Sequence, residues 1–443
     1  MPTAALENQV WDPIELISRD ELRALQLKRL RECVERVSNV PFYKRAFARE
    51  GISADKIRSL DDIRRLPFTS KADLREHYPF GLLAVPRDEL ARVHGSSGTT
   101  GKPTIVAYSR HDLDVWANVC ARFLFAGGVR PRHLAHVAFG YGLFTGGFGL
   151  HGGLEKVGAA VVPAASGNTP RHVMLLRDLA PDVLVCTPSY ALNIAEVAEQ
   201  EGYDPREFNL SLGHFGAEPW TEDMRREIEA RLDILAFDNY GLSEVMGPGV
   251  SGECIYRCGM HIQEDHFLVE CLDPETLEPV AEGERGELVF TALTKEALPL
   301  IRYRTRDIAS LNSAPCRCGR VGVRMSRVVG RTDDMLVVRG VNVFPSQIEE
   351  ALLRVEGTAP QYVIEIDRPG ALDEAVVRVE IRPQDFSDKM SQMQALRERI
   401  QYEITRITGV RMHVELVDPM TLERAIGKAR RVIDHRNTKL QGN

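Results

Sequence analysis

The sequence predicts an α/β protein: a large N-terminal domain of layered, mostly parallel sheets flanked by helices, followed by a small α+β C-terminal domain. Three observations carry this reading. Short apolar runs at 135–139, 159–163 and 183–187 alternate with helical patterns at 171–179 and 190–200, and such alternation builds a parallel sheet covered on both faces. A polar, glycine-led turn at 330–336 separates two apolar stretches and divides the chain into 1–332 and 333–443. Beyond it, strands at 362–366, 375–381 and 411–417 and a helix at 394–407 suffice for a second unit. At 443 residues the chain has room for both cores.

Composition narrows the function. A net charge of −7 argues against a nucleic-acid partner. No apolar run reaches the roughly 18 residues of a membrane helix, and residues 1–10 lack the basic-then-apolar pattern of a signal peptide. Eight cysteines without a secretion signal read as reduced thiols or metal ligands. The expectation is a cytoplasmic protein without nucleic-acid or membrane partners.

Taken in order, residues 19–48 are helical in pattern, with Leu22, Leu25, Leu27, Leu30, Val34 and Val37 as core positions and a break at Asn39-Val40-Pro41. On physics alone this lead-in, which runs on through Leu66-Pro67-Phe68-Thr69 to Tyr78-Pro79-Phe80-Gly81, carries nothing catalytic. Then comes Ser96-Ser97-Gly98-Thr99-Thr100-Gly101-Lys102-Pro103, between strand-like 90–94 and 104–108. Its glycines let backbone N–H groups gather around an anion, and its hydroxyls and Lys102 add donors and charge. It is not a Walker A loop, because Ser96 replaces the first glycine and Pro103 follows the lysine. By residue type it also fits a plain polar hairpin turn.

A helix at 110–126 precedes the strand at 135–139, which ends in Gly140-Tyr141-Gly142-Leu143-Phe144-Thr145-Gly146-Gly147. Glycines around two aromatics suit a close approach to a flat ligand, or equally a glycine-rich helix entry on a sheet. His214-Phe215-Gly216-Ala217-Glu218-Pro219 leaves a strand at the end where α/β sheets bind ligands. In Asp238-Asn239-Tyr240-Gly241-Leu242-Ser243-Glu244, a ring, a hydroxyl and a carboxylate could stack on adenine and hold Mg2+.

Cys254-x3-Cys258-x2-His261 and Cys316-x-Cys318-Gly319 resemble two knuckles offering five ligands for four tetrahedral positions. Arg257-Cys258-Gly259-Met260 reads as a turn tip, so Cys254 and His261 converge while Cys258 points out. Cys254, His261, Cys316 and Cys318 are therefore the expected ligands of a structural Zn2+, the bland alternative being unlinked thiols. His266 is expected to be structural.

In this order, the motifs resemble those of the adenylate-forming superfamily of acyl- and aryl-CoA synthetases, adenylation domains and luciferases. Pro41-Phe42-Tyr43, Leu66-Pro67-Phe68-Thr69, Tyr78-Pro79-Phe80-Gly81 and Tyr303-Arg304-Thr305-Arg306-Asp307 are similar to its phenylacetate–CoA ligase branch, from about residue 11 to 434. The resemblance implies that Ser96, Ser97, Gly98, Thr99, Thr100, Gly101 and Lys102 hold the ATP phosphates and Glu244 the Mg2+. It implies that Ala217, Glu218 and Pro219 form an adenine turn beside Asn239, Tyr240, Gly241 and Ser243. Tyr141, Phe144 and Gly216 would meet the aryl acid, and Asp307 and Arg331 the ribose. Asp333 would be the pivot of a mobile C-terminal domain that presents either Lys428, in Ile426-Gly427-Lys428, for adenylation or Gly340 for coenzyme A. Ser346, with Glu349 behind it, reads as the cap of the helix after that glycine. The superfamily at large has glycine where this chain has Arg306, a departure the phenylacetate branch shares.

The implied activity is ligation of an aryl acid to coenzyme A through an adenylate, in a homodimer. The rivals are loading of a carrier-protein thiol and a zinc-stabilised binding protein without catalysis.

Overall fold

The computed structural model describes residues 8–96, 103–332, 336–338, 341–367, 374–382, 385, 390–423 and 431–435. Helix α1 (Arg19–Val37) opens on a reciprocal cap: the Ser18 hydroxyl accepts the Glu21 N–H at 3.2 Å, and the Glu21 carboxylate accepts the Ser18 N–H at 2.8 Å. Pro41 begins α2 (Pro41–Glu50), because proline is tolerated in a first helical turn. Leu22, Leu30, Val34 and Val37 are buried, but Leu25 and Leu27 only half so. Gln26 takes a core position instead, because its amide donates to the Glu264 carbonyl at 3.0 Å.

After α3 (Lys71–Glu76), β1 (Arg92–Ser96) and β2 (Thr104–Tyr108) form an antiparallel hairpin that pairs Ser96 with Thr104. Helix α4 (Arg110–Ala126) matches its predicted limits. The chain then alternates: β3 (Leu134–Val137), α5 (Gly146–Val157), β4 (Ala160–Val162), α6 (Thr169–Leu179), β5 (Val183–Cys186), α7 (Pro188–Gln200), β6 (Leu212–Gly216), α8 (Glu222–Leu232) and β7 (Leu235–Leu242). These strands pair in parallel in the order β4-β3-β5-β6-β7. Helices cover both faces, as the unbroken apolar strand β5 requires. Val183 and Val185 pack into one core, and Leu184 and Cys186 into the other.

The expectation of a mostly parallel sheet holds for this half only. Strands β8 (Gly247–Glu253), β9 (Met260–Ile262), β10 (Phe267–Leu272), β11 (Arg285–Ala292), β12 (Tyr303–Asn312), β13 (Arg324–Met325) and β14 (Gly330–Arg331) extend the sheet antiparallel. The whole sheet runs β10-β11-β12-β13-β9-β8-β7-β6-β5-β3-β4, with β14 on β12. The cause lies in the connections: no helix intervenes after β7, and a parallel crossover needs a dozen or more residues.

The remainder has its own core. After the pair β15 (Leu336–Val338) and β16 (Val341–Val343) come α9 (Pro345–Leu353), β17 (Thr358–Asp367), β18 (Glu374–Ile381), α10 (Met390–Thr408), β19 (His413–Val417) and β20 (Val432–Asp434). The sheet order is β19-β18-β17-β20, and Ile348, Ile364, Val377, Ile400 and Val414 fill its core. Ser346 is not the cap of α9. The helix starts at Pro345, whose fixed φ suits the first position; Gln347 accepts the Phe344 N–H at 2.9 Å, and the Ser346 hydroxyl donates to the Val329 carbonyl. Among the described residues no helix is long and apolar enough to cross a membrane.

Candidate active site and metal centre

The functional side chains gather where β6 and β7 end. Gly216 closes β6 against β7 so tightly that an added Cβ would lie 2.5 Å from the Asn239 carbonyl oxygen. Asn239 in turn donates its side-chain N–H to the Phe215 carbonyl at 2.6 Å. Ala217 then turns the chain with φ 71°, a left-handed conformation rare for a residue with a side chain. Ala217 and Pro219 are exposed, whereas Glu218 accepts the Ser189 N–H at 2.7 Å, at the start of α7. The result is a turn anchored at Glu218 and exposed at Ala217 and Pro219.

Tyr240 crosses to β12, where its hydroxyl donates to Asp307 Oδ2 at 2.6 Å. Arg331 donates to the other oxygen, Oδ1, at 3.0 Å, because β14 pairs Arg331 directly with Asp307. Burial, then the Asp307 charge, push the Tyr240 hydroxyl well above the usual phenol range. An added Cβ on Gly241 would sit 2.0 Å from the Gly247 carbonyl oxygen, so this tight strand crossing requires glycine. Arg306 takes φ 69°, a conformation that glycine adopts without cost. That is the physical reason a glycine suits this position elsewhere in the superfamily. Here Glu287 holds the strained residue, accepting its N–H at 3.2 Å and facing its guanidinium at 3.8 Å.

Glu244 is 5% exposed. Its Oε1 accepts the Ser96 hydroxyl at 2.9 Å and lies 3.3 Å from Lys71 Nζ. Ser243 shares a 2.8 Å hydrogen bond with Thr145, which joins this segment to the start of α5. The lead-in is therefore not without a role in the site, since α3 carries Lys71 to it. Sequence reasoning also missed Lys295, which is wholly buried, 4.4 Å from the Tyr108 ring centroid and 3.5 Å from the Glu244 carbonyl. Neither lysine lies in a motif, and Lys295, set between Thr294 and Glu296, reads in the sequence as an ordinary surface lysine. Burial lowers Lys295 to about 8, although Asp112 and Glu244 oppose the shift.

Tyr141 is half-buried, edge-on to Phe148 at 5.4 Å, with its hydroxyl 3.1 Å from His151 Nδ1. Phe144 is 42% exposed and rests over Gly146. Both stand on the segment leading from β3 to α5, so the glycine-rich stretch is at once a helix entry and an aromatic rim.

The four expected metal ligands converge. Ligand atoms of Cys254, His261, Cys316 and Cys318 lie within 4.8 Å of one another, all buried. The Cys254–Cys316 sulfur distance is 3.8 Å, and Cys318 Sγ is 3.4 Å from His261 Nε2. Tetrahedral Zn2+ with Zn–S bonds of 2.3 Å sets sulfurs about 3.8 Å apart, so the set fits. Arg257 turns the first knuckle with φ 49°. Cys258 is exposed, as expected, yet its sulfur lies 3.5 Å from that of Cys316. His266 bonds Thr294 at 2.8 Å, and burial pushes it down to about 4. Ser97, Gly98, Thr99, Thr100, Gly101, Lys102, Asp333, Gly340 and Lys428 lie outside the described residues.

Two family models match the chain: "AMP-binding enzyme" over residues 21–292 and "AMP-binding enzyme C-terminal domain" over residues 340–436. The phenylacetate-coenzyme A ligase of Aromatoleum evansii is 50% identical over 429 residues, covering 96% of this chain and 97% of that protein. The chain belongs to the phenylacetate–coenzyme A ligase family. The family's enzyme from Thermus thermophilus is also 50% identical, over 96% of this chain and 98% of its own. Among solved structures, 2-hydroxyisobutyryl-CoA ligase is 31% identical over 100% of this chain and 97% of that one. Its postadenylation state with 2-HIB-AMP superposes with a TM-score of 0.92. The same enzyme in its thioesterification state, with 2-HIB-AMP and CoA, gives 0.71 at 32% identity over the same shares of the two chains. This member of the phenylacetate–coenzyme A ligase family thus has its two units placed as in the former state.

Lys295 gives a test of the site's electrostatics. Its folded pKa lies below that of the unfolded chain, so the folded state sheds its proton first as pH rises from about 8 towards 10, and stability shifts in its favour over that window. The difference in melting temperature between wild type and Lys295→Met is expected to move towards the wild type as pH rises from 8 to 10. A difference independent of pH would show that Lys295 is not a desolvated cation.

Proposed function

We propose that the chain joins phenylacetate to coenzyme A through a phenylacetyl-adenylate, releasing AMP and pyrophosphate. The observation that carries this is the convergence of Ser96 on Glu244, and of Tyr240 and Arg331 on Asp307, at the end of a parallel sheet. Identity to phenylacetate–coenzyme A ligases over nearly the whole chain supports it.

The chemistry needs no protein nucleophile. The acid is already ionised at neutral pH, since carboxyl groups titrate near about 4. The obstacle is bringing that carboxylate against the α-phosphate, so the site must position anions and supply positive charge. The 96–102 loop would hold the β- and γ-phosphates, with the buried Lys295 steadying the Glu244 backbone beneath. A Mg2+ at Glu244 would neutralise phosphate charge. Asp307, already a double acceptor, would take the ribose hydroxyls, and the open backbone at Ala217, Glu218 and Pro219 would flank adenine beside Tyr240. Tyr141 and Phe144 would line the acid's ring near Gly216. Lys428 would meet the carboxylate and α-phosphate. Rotation of residues 333–443 about Asp333 would then replace Lys428 with Gly340, whose missing side chain leaves coenzyme A a path.

Cys254, His261, Cys316 and Cys318 would hold a structural Zn2+, because protein fills every position. It would staple the β8–β9 knuckle to the loop between β12 and β13. Atomic emission should find about one zinc per chain in the purified protein, and changing Cys316 and Cys318 together to Ser should abolish it. The same change should lower the melting temperature more than it changes the KM for ATP. Full zinc occupancy in that variant would contradict the site.

The two half-reactions should separate. Lys428→Ala removes a cation from a transition state that concentrates negative charge, and should slow adenylate formation about 10²–10³-fold. Thioester formation from synthetic phenylacetyl-adenylate and coenzyme A should change little. Gly340→Leu should show the reverse. Equal losses on both steps in both variants would rule out domain alternation.

A further inference from the structure

One arginine of the large unit has no part in the scheme above. Arg327 stands between β13 and β14, and the chain on either side of it is fixed to β12, the strand that carries Asp307. The Ser326 N–H donates to the Ser310 carbonyl and the Val329 N–H to the Ile308 carbonyl, both at 2.9 Å. From that footing the Arg327 guanidinium reaches two other segments. It donates to the Glu222 carboxylate at the start of α8, lies 5.1 Å from the Trp220 ring centroid, and brings Nε to 3.6 Å from Asp238 Oδ2 on β7.

Those partners bear on the turn after β6. Trp220 follows Pro219 directly, is 3% exposed, and meets Phe215 edge-on at 5.7 Å. Residues 216–219 are thus closed at their base by contact between the residues on either side of them. A second guanidinium, Arg225, also lies 5.1 Å from the Trp220 ring centroid, but it is committed elsewhere. It donates to both Glu253 oxygens at 2.9 and 2.8 Å and to the Ala236 carbonyl at 2.7 Å. Arg225 is taken up by Glu253 and the sheet, and the cation paired with the Asp238 carboxylate is Arg327. The three contacts of Arg327 differ in weight. The Glu222 side chain is 62% exposed, so its ion pair adds little in water. Asp238 and Trp220 are buried; there a carboxylate stripped of its cation is costly, and a guanidinium near an indole is not diluted by solvent.

We propose that Arg327 is a positioning residue for ATP: it fastens the turn after β6 and the strand β7 to the strand of the ribose carboxylate, so that the adenosine cleft is set before the nucleotide arrives. The proposal deepens the ligase reading and rests on its nucleotide site. Trp220 adjoins Pro219, Asp238 adjoins Asn239, and the footing on β12 adjoins Asp307, the residues that would surround adenosine. None of the three contacts falls on the segment from β3 to α5 that carries Tyr141 and Phe144. Arg327 accordingly governs the nucleotide and not the acid.

The test compares Arg327→Met and the double variant Arg327→Met/Asp238→Asn with wild type, with melting temperatures recorded. Calorimetry gives the affinity for α,β-methylene-ATP with Mg2+, and steady-state kinetics give the KM for ATP and for phenylacetate. Arg327→Met should weaken the analogue and raise the KM for ATP about tenfold, within the range of couplings among members of one ion-pair network. The KM for phenylacetate should stay within about twofold of wild type, as for a site outside that network. A merely structural role would lower the melting temperature without separating the two substrates. Unchanged affinity for the analogue, or equal rises in both KM values, overturns the proposal. If Arg327→Met does not fold, the double variant decides, since it removes the stranded charge without restoring the tie. A tenfold weaker analogue with an unchanged KM for phenylacetate then supports the proposal, and wild-type affinity overturns it. A wild type that binds the analogue but forms no thioester from any aryl acid would be the failure of the ligase reading, and the calorimetric arm would still judge Arg327.

Discussion

One carboxylate ties the large unit together at its working edge. Asp307 receives Tyr240 from the last parallel strand and Arg331 from the strand leading out to the small unit. Its two oxygens therefore fix the relative positions of residues 240, 307 and 331 before any ligand arrives. The carboxylate is 6% exposed, so neither hydrogen bond is diluted by solvent, and bonds to a charged acceptor are the stronger kind. A ribose diol that displaced these donors would meet an acceptor already oriented. The phosphate end follows the same plan, with Glu244 gathering Ser96 and Lys71 from segments far apart in sequence.

The sheet supplies both ends of this site because it changes character at β7. Parallel strands deliver their carboxyl ends, with Gly216 and Asn239, to one edge. The antiparallel continuation brings β12 and β14 back beside them. Further along, the same antiparallel half presents the cysteine knuckles. The N-terminal segment is strapped on there too: Arg122 binds Asp12 at 2.7 Å and Asp265 at 2.8 Å, and Arg320 binds Glu15 at 2.5 Å. Buried pairs of this kind add little net stability but are costly to break singly, so they fix geometry more than they add free energy.

Much of this was legible in the sequence, for identifiable reasons. The strand–helix alternation and the limits of α4 follow from periodicity. Cys254 and His261 were legible as a converging pair because a turn tip at Arg257 brings its flanks together. The antiparallel half was not, because strand runs without intervening helices do not announce their partners. Lys71 and Lys295 escaped because a lone lysine reads as solvated surface, and only tertiary packing turns one towards a carboxylate and buries the other. Arg306 was noticed as a departure, but only its φ explains why glycine suits the position.

The central claim is that the acid's own oxygen attacks the α-phosphate, so isotope transfer is its most direct test. Phenylacetate labelled with 18O in both carboxylate oxygens, incubated with ATP, Mg2+ and coenzyme A, should yield AMP carrying one 18O in its phosphate, read by mass spectrometry, with unlabelled pyrophosphate. That oxygen can reach AMP only through a mixed anhydride that the thiol then cleaves at the acyl carbon. Unlabelled AMP, or ADP with labelled inorganic phosphate, would contradict the account.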